Sequence, residues 1–363
     1  MTPRPTLSLA VRNLLDYMSV KSGDNVLVTA DTGTDMKVAE AIFQGAMDIE
    51  AQPAVVRMPQ LPFQGQLADP HIPASARAAM LAADCWIDLT FPYLAGSHAH
   101  DESMRQGKTR YLLGGDLHEK AFCRLFGALD FDRYYQAQDV FDRVLREAVG
   151  KTCRITNPTG TDVSFQLGKA PFSKPRRITK PGMYVVPGTW TIAPDVDTVV
   201  GTIVVERGFH EVYGNFGSPI TLRVDRKVID VTGDAAILAP LRRAMLRAGN
   251  GKGYGGVIHF SHGMHPAALL TGTCFIEDSR TIGSNAIGLG IPWWLPGGGE
   301  NHPDVVLTGH SVWIDDTAII RDGLIVGPPE LVDAVGPLAP TYPPNITRSV
   351  TLAHKPHTTA QEV

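Results

Sequence analysis

Histidine is unevenly spread along this chain. Of its twelve histidines, five fall between positions 259 and 310: His259, His262, His265, His302 and His310. The stretch GGVIHFSHGMHP carries an apolar run up to His259 and then opens a glycine turn. Further on, GGGENHPDVVL sets His302 and Asp304 two positions apart, just ahead of another apolar run. Residues i and i+2 of an extended segment project from one face, so His302 and Asp304 can converge on a point. Gly297, Gly298 and Gly299 let the backbone approach that point closely. Two neutral imidazoles and one carboxylate form the donor set of a facial triad, in which Fe(II) keeps positions open for a substrate and O2. The lone His comes before the H-x-D pair here, the reverse of the order in β-helix oxygenases, so an ordinary cupin-type site is not expected. Spacing alone fits a surface loop that pairs a His with a nearby Asp just as well.

These residues need strands to hold them. Residues 7–20 carry apolar positions at helical spacing, Gly23-Asp24 breaks the pattern, and NVLVT (25–29) reads as a buried strand. An amphipathic helix through Val38, Ile42, Ala46 and Ile49 follows, then strands over 53–58, 85–89 and 111–114, with helical sequence between them and up to about 150. Such alternation predicts an α/β, Rossmann-like domain with a parallel sheet over 1–148. From 149 to 340 the chain is strand-rich and punctuated by Gly and Pro, with one helix over 235–248, and reads as a mainly β (α+β) metal-binding catalytic domain. Residues 341–363 form a polar tail.

Composition narrows the partners. With 363 residues and 44 % hydrophobic content the chain can bury a sizeable core. A net charge of −4 and the lack of a basic, aromatic-interleaved stripe argue against nucleic acid. Cys85, Cys123, Cys153 and Cys274 lie far apart without a C-x-x-C pair, so disulfides are not expected. No apolar run reaches the ~18 residues of a membrane span, and no signal-peptide core follows the first residues. A cytoplasmic protein is the expectation.

HFSHGMHP, LLTGTCFIEDSRTIGSNAIGLG and GGGENHPDVVL together resemble the aminopeptidase T-like metalloenzyme superfamily. RITNPTGTDVSF and PDVDTVVGTIVV resemble its C-terminal domain, and GDNVLVTADTGTD its N-terminal one, so the resemblance covers about residues 10–330. In the peptidases of that superfamily, which are dinuclear, a Glu stands at the position of His259 and a metal-binding His at that of Ala286. The branch typified by 2,5-dihydroxypyridine 5,6-dioxygenase is mononuclear, and its ligand positions match His259, His302 and Asp304. The resemblance therefore implies a non-haem Fe(II) ring-cleaving dioxygenase acting on a small hydroxylated aromatic or N-heteroaromatic ring with O2, working as a homo-oligomer. A metallo-aminopeptidase with an altered site is the alternative.

The same resemblance points to a catalytic base in the loop FPYLAGSHAHDE, at His98 or His100; two exposed loop histidines is the plainer reading. His262 either lines the pocket or makes a structural hydrogen bond, and His265 anchors the turn. Trp293 and Trp294 could stack on an aromatic substrate or serve as packing. Glu277 and Asp278 resemble a family acidic pair, and with Ala286 offering no ligand a turn or salt bridge is expected of them. The chain departs from the pyridine dioxygenase over 174–194, which holds neither His nor Glu and offers Arg176, Arg177, Lys180, Tyr184, Thr189 and Trp190 instead. Clustered cations are most often a solvated face. As substrate contacts, Arg176 and Arg177 would favour an anionic ring, with Tyr184 beside them.

Overall fold

The computed structural model describes residues 5–170, 176–209, 212–292, 295 and 302–338. The first part of the chain alternates as its periodicity predicts. It runs α1 (Leu7–Tyr17), β1 (Asn25–Ala30), α2 (Met36–Asp48), β2 (Gln52–Arg57), α3 (Ala74–Ala82), β3 (Cys85–Asp88), α4 (His98–Gln106), β4 (Arg110–Leu113), α5 (Glu119–Gly127) and α6 (Phe131–Glu147). Side-chain caps start the helices: Asp35 accepts from Lys37 N at α2 and Asp130 from Arg133 N at α6. The strands pair in parallel, and β3 is buried along its whole length, as expected for a sheet covered on both faces.

The second part continues as β5 (Thr152–Thr156), β6 (Asp162–Gln166), β7 (Gly182–Val185), β8 (Thr189–Ile192), β9 (Val200–Phe209), β10 (Tyr213–Asp225), β11 (Lys227–Thr232), α7 (Ala235–Ala248), β12 (Gly256–Gly263), α8 (Phe275–Asp278), β13 (Ser284–Gly290), β14 (Asp304–Thr308), β15 (Ser311–Ile314), β16 (Thr317–Arg321) and β17 (Leu324–Ile325). Most of these strands form a 12-stranded sheet whose core runs β6-β9-β14-β13-β12-β8, with antiparallel neighbours. The exception is β7, which returns to the first sheet and pairs in parallel with β4, giving the order β2-β1-β3-β4-β7. The two sheets are thus tied by the chain itself. Among the described residues no helix is long and apolar enough to cross a membrane.

Side-chain ties reinforce the join. Arg124 of α5 donates from Nε and Nη2 to the two carboxylate oxygens of Glu277 in α8, at 2.5 and 2.7 Å, and Glu277 is wholly buried. His265, in the turn after β12, lies 3.0 Å from the carbonyl of Leu125 in α5 through Nε2, and its Nδ1 accepts from Ala267 N at 3.1 Å. Two parallel bonds to a buried carboxylate stabilise it only while the guanidinium is present. Arg124→Met should therefore lower stability by about 3–5 kcal/mol, because Glu277 is left charged and unpaired. Denaturant unfolding read at matched pH checks this; a loss below about 1 kcal/mol would mean that the pair is not a structural tie.

Candidate metal centre

Cross-strand register builds the site. His259 of β12 faces Gly288 of β13, Gly288 faces Asp304 of β14, and Asp304 faces Phe209 of β9. Opposed residues of antiparallel strands point to one face, so these four form a row across the sheet. The next row on that face is Ser261, Ala286, Val306 and Arg207. His302, two residues before Asp304, adds its ring to the first row.

Ligand atoms of His259, His302 and Asp304 all lie within 4.8 Å of one another, and no other such group of His, Cys, Asp or Glu occurs among the described residues. His259 Nε2 is 3.5 Å from Asp304 Oδ1, and His302 Nε2 is 3.7 Å from Asp304 Oδ2. One ion with bonds of about 2.1 Å spans such separations. The two imidazoles stand nearly perpendicular, at 84°, with centroids 5.6 Å apart. His259 Nδ1 lies 3.1 Å from Ser261 Oγ, which is in turn 3.0 Å from Thr191 Oγ1, so the ring's far nitrogen is held and Nε2 is left as the ligand atom. Burial pushes the His259 pKa down to about 4, with His302 adding to the fall and Asp304 opposing it, so the ring is neutral. A neutral imidazole is the form that binds metal.

Gly288 makes room for that ring. A Cβ at 288 would fall against His259 Nε2, with Cδ2 at 2.8 Å and Cε1 at 3.1 Å. Donor chemistry, spacing and cradle all fit a single metal ion. The acidic pair resembling the peptidases' is fully engaged elsewhere. Glu277 serves Arg124 and Leu269 N, while Asp278 accepts from Thr271 N, Thr271 Oγ1, Gly272 N and Tyr213 Oη.

The other expected site residues are dispersed. His262 points to the opposite face of β12, where its Nδ1 lies 2.6 Å from His310 Nε2, both rings fully buried. That is the structural hydrogen bond rather than the pocket position. Tyr184 sits on β7 in the parallel sheet, with its hydroxyl donating to the carbonyl of Lys180 at 3.0 Å. Arg176 is paired with Asp139 and Asp142 of α6, and Arg177 with Asp16 and Asp132. Helix α6 packs through Tyr134 and Phe141 on Trp190, which shares the His262 face. Four carboxylates thus engage Arg176 and Arg177, which were expected to meet the substrate. Trp293 and Trp294 lie outside the described residues, as do Gly297 to Gly299.

At the first turn of α4, His98 is largely exposed, its Nδ1 2.6 Å from Asp69 Oδ2. His100 is buried against Trp86 and Tyr111. Its Nδ1 accepts from Gly96 N at 3.1 Å. Gln64, just ahead of Asp69, donates to the carbonyl of His302 at 3.1 Å. Sequence reading missed the aromatic wall of Phe91, Tyr93 and Phe209, whose rings lie 4.7 to 5.4 Å apart. The signal available was Tyr93 in the same FPYLAGSHAH segment as the candidate base.

The profile of the NicX family, 2,5-dihydroxypyridine 5,6-dioxygenase, matches residues 6–327. Curated proteins give no match. The structure of the 2,5-dihydroxypyridine dioxygenase from Pseudomonas putida KT2440 is similar with a TM-score of 0.67, at 19 % identity, over 90 % of this chain and 98 % of that one. Wild-type AmpT from Thermus thermophilus is similar with a TM-score of 0.55, at 15 % identity, over 88 % of this chain and 99 % of that one. At these identities the two structures speak for the shared fold.

Gly288→Ala should cut metal content at least tenfold while the far-ultraviolet circular dichroism stays that of the wild type, since the added methyl displaces the His259 ring rather than the strand. Full metal content in this variant would refute the cradle. A second expectation concerns acid. His262, His265 and His310 are buried and neutral, with pKa values pushed below 6.5 by burial, to about 4 for His265 and His310. The unfolded chain takes up these protons near pH 6.5 and the folded chain does not, so stability is full above that pH and falls as pH drops toward 4. Each ring should cost about 1–2 kcal/mol by pH 5. The fall in thermal midpoint between pH 7 and 5 should shrink in His310→Gln; an equal fall in both proteins would deny His310 that role.

Proposed function

The chain belongs to the 2,5-dihydroxypyridine 5,6-dioxygenase family, and on that premise we propose a mononuclear non-haem Fe(II) enzyme that opens a hydroxylated aromatic or N-heteroaromatic ring, such as a hydroxypyridine, in the extradiol manner. The observation that carries this reading is the convergence of His259, His302 and Asp304 on one point, beside buried acids that are already engaged. Three protein ligands leave coordination positions open, as a reaction that needs a ring and O2 side by side requires. The chemistry supplied by a bound Fe(II) is the coupling of the two within one coordination sphere.

The chain's own residues do the rest. His259 and His302 would offer ring nitrogens and Asp304 a carboxylate to a divalent ion, whose remaining positive charge suits a ring that arrives ionised. Phe91, Tyr93 and Phe209 wall the triad with apolar surface that excludes water. A base must take the proton of the ring hydroxyl, and His98 or His100 is assigned that task. His98 is the better placed on two grounds. Asp69 Oδ2 lies 2.6 Å from its Nδ1, and Gln64 of the neighbouring segment touches the His302 backbone. The working form is proposed to be a cytoplasmic homo-oligomer.

Anaerobic metal analysis followed by O2 uptake on a panel of hydroxypyridines and hydroxybenzoates tests the proposal. One iron per chain and ring-dependent O2 consumption are expected. His259→Ala, His302→Ala and Asp304→Ala should each lose iron and turnover while staying folded. Wild-type turnover in any of the three would overturn the ligand assignment, and two metals per chain with peptide hydrolysis would establish the peptidase instead.

A further inference from the structure

The loop just ahead of the candidate bases carries a phenol that packs beside the strand of Asp304. Tyr93 packs its ring against Phe209, with centroids 5.3 Å apart, and meets Phe91 edge-on at 5.4 Å. Phe209 is the direct cross-strand neighbour of Asp304, so Tyr93 rests on the residue beside a triad member. Its backbone surroundings are pinned on both sides. Phe91 N donates to Asp31 Oδ2 at 2.8 Å, Gln60 Nε2 to the Phe91 carbonyl at 2.8 Å, and Leu94 N to Asp88 Oδ2 at 2.9 Å. Asp88 is itself held by Thr29, Thr90 and Tyr111. A rigid loop therefore fixes where the phenol points.

Its hydroxyl, however, is buried and has no hydrogen-bond partner among the described residues. The contrast is Tyr111, equally deep, whose hydroxyl meets Asp88 Oδ2 at 2.6 Å. Burying an unpaired hydroxyl costs stability, and a phenylalanine would fill the same space without that cost. Burial holds the phenol well above its ordinary pKa, so the group is a donor and not a base. A buried donor held beside Phe209 and without a partner among the described residues is complementary to a ligand oxygen.

We propose that the Tyr93 hydroxyl donates a hydrogen bond to an oxygen substituent of the hydroxylated ring held at the triad, which makes Tyr93 a catalytic residue distinct from the base. The inference rests on the dioxygenase reading above. A ring oxygen that has lost its proton is the strongest acceptor available there, and charge-assisted bonds of this kind also orient the ring. The donor in the loop and the base at the start of α4 then act on one substrate.

Tyr93→Phe tests this because it removes one oxygen and keeps the ring packing. Iron-loaded wild-type and variant proteins are compared anaerobically by calorimetric titration with 2,5-dihydroxypyridine and, where that does not bind, with each hydroxylated ring on which the wild type consumes O2. The variant should hold wild-type iron, melt at the same temperature or higher, bind the ring about tenfold to a hundredfold more weakly, and turn over more slowly. Unchanged ring affinity and turnover would overturn the proposal. So would lost iron with unchanged turnover per bound iron, which would make Tyr93 a support for Asp304. A lower melting temperature with unchanged affinity would make it a packing residue. If the wild type itself neither binds a hydroxylated ring nor consumes O2, the dioxygenase reading fails first and takes this inference with it.

Discussion

The metal centre depends on a position that has no side chain. Gly288 lies in a central strand, hydrogen-bonded on both sides, directly between the strand of His259 and that of Asp304. An imidazole is far wider than the gap between adjacent side chains in a sheet, so a ring at 259 can lie flat toward Asp304 only over an empty neighbour. The register of three strands is therefore part of the site: a slip of one residue would turn every side chain of β13 to the other face and put a bulky Ile287 or Leu289 beneath the ring. The flanking strands reinforce that register, and Ser261 and Thr191 secure the ring from the other side.

Ala286, one row along from Gly288, presents a methyl group and offers no ligand atom. Glu277 and Asp278 keep their carboxylates, yet each is saturated by donors within the fold: a guanidinium for one, a turn and a phenol for the other. A buried acid that has found such partners gains nothing by meeting a cation as well. Two carboxylates of a kind often associated with metals thus serve here to fix α8 against α5 and β10. A fold alone does not determine its chemistry; the side chains at a handful of positions on one face do.

How much of this was legible in the sequence follows from how local each signal is. The parallel sheet could be read because helix and strand periods alternate within short windows, and the H-x-D pair because two residues in extended chain share a face whatever the surrounding fold. His262 could have been placed too: three residues from His259 along a strand, it must face the other way. Other features were hidden. Nothing in GMYV marks β7 as a recruit to the first sheet, since that choice belongs to β4. Arg176 and Arg177 looked like free cations because their four aspartates lie 34 to 161 residues away along the chain. The aromatic wall was invisible for the same reason, as Phe91 and Phe209 meet only once two domains are in place.

That last point bears on where the site belongs. The triad lies wholly in the second part of the chain, but its surroundings do not. Gln64 holds the carbonyl of His302, Phe91 and Tyr93 cover Phe209, and Arg124 and Leu125 of α5 clamp Glu277 and His265 on either side of the loop after β12. The contacts to His302 and Phe209 reach from the first domain to a triad residue and to the cross-strand neighbour of another. A sheet face that carries His259, His302 and Asp304 alone would meet water; rings from the first domain cover part of it at Phe209. The α/β domain is therefore the lid of the site as much as a neighbour to it. Its β3–α4 loop is tied down by the buried carboxylate of Asp88, which keeps the rings of Phe91 and Tyr93 fixed against Phe209.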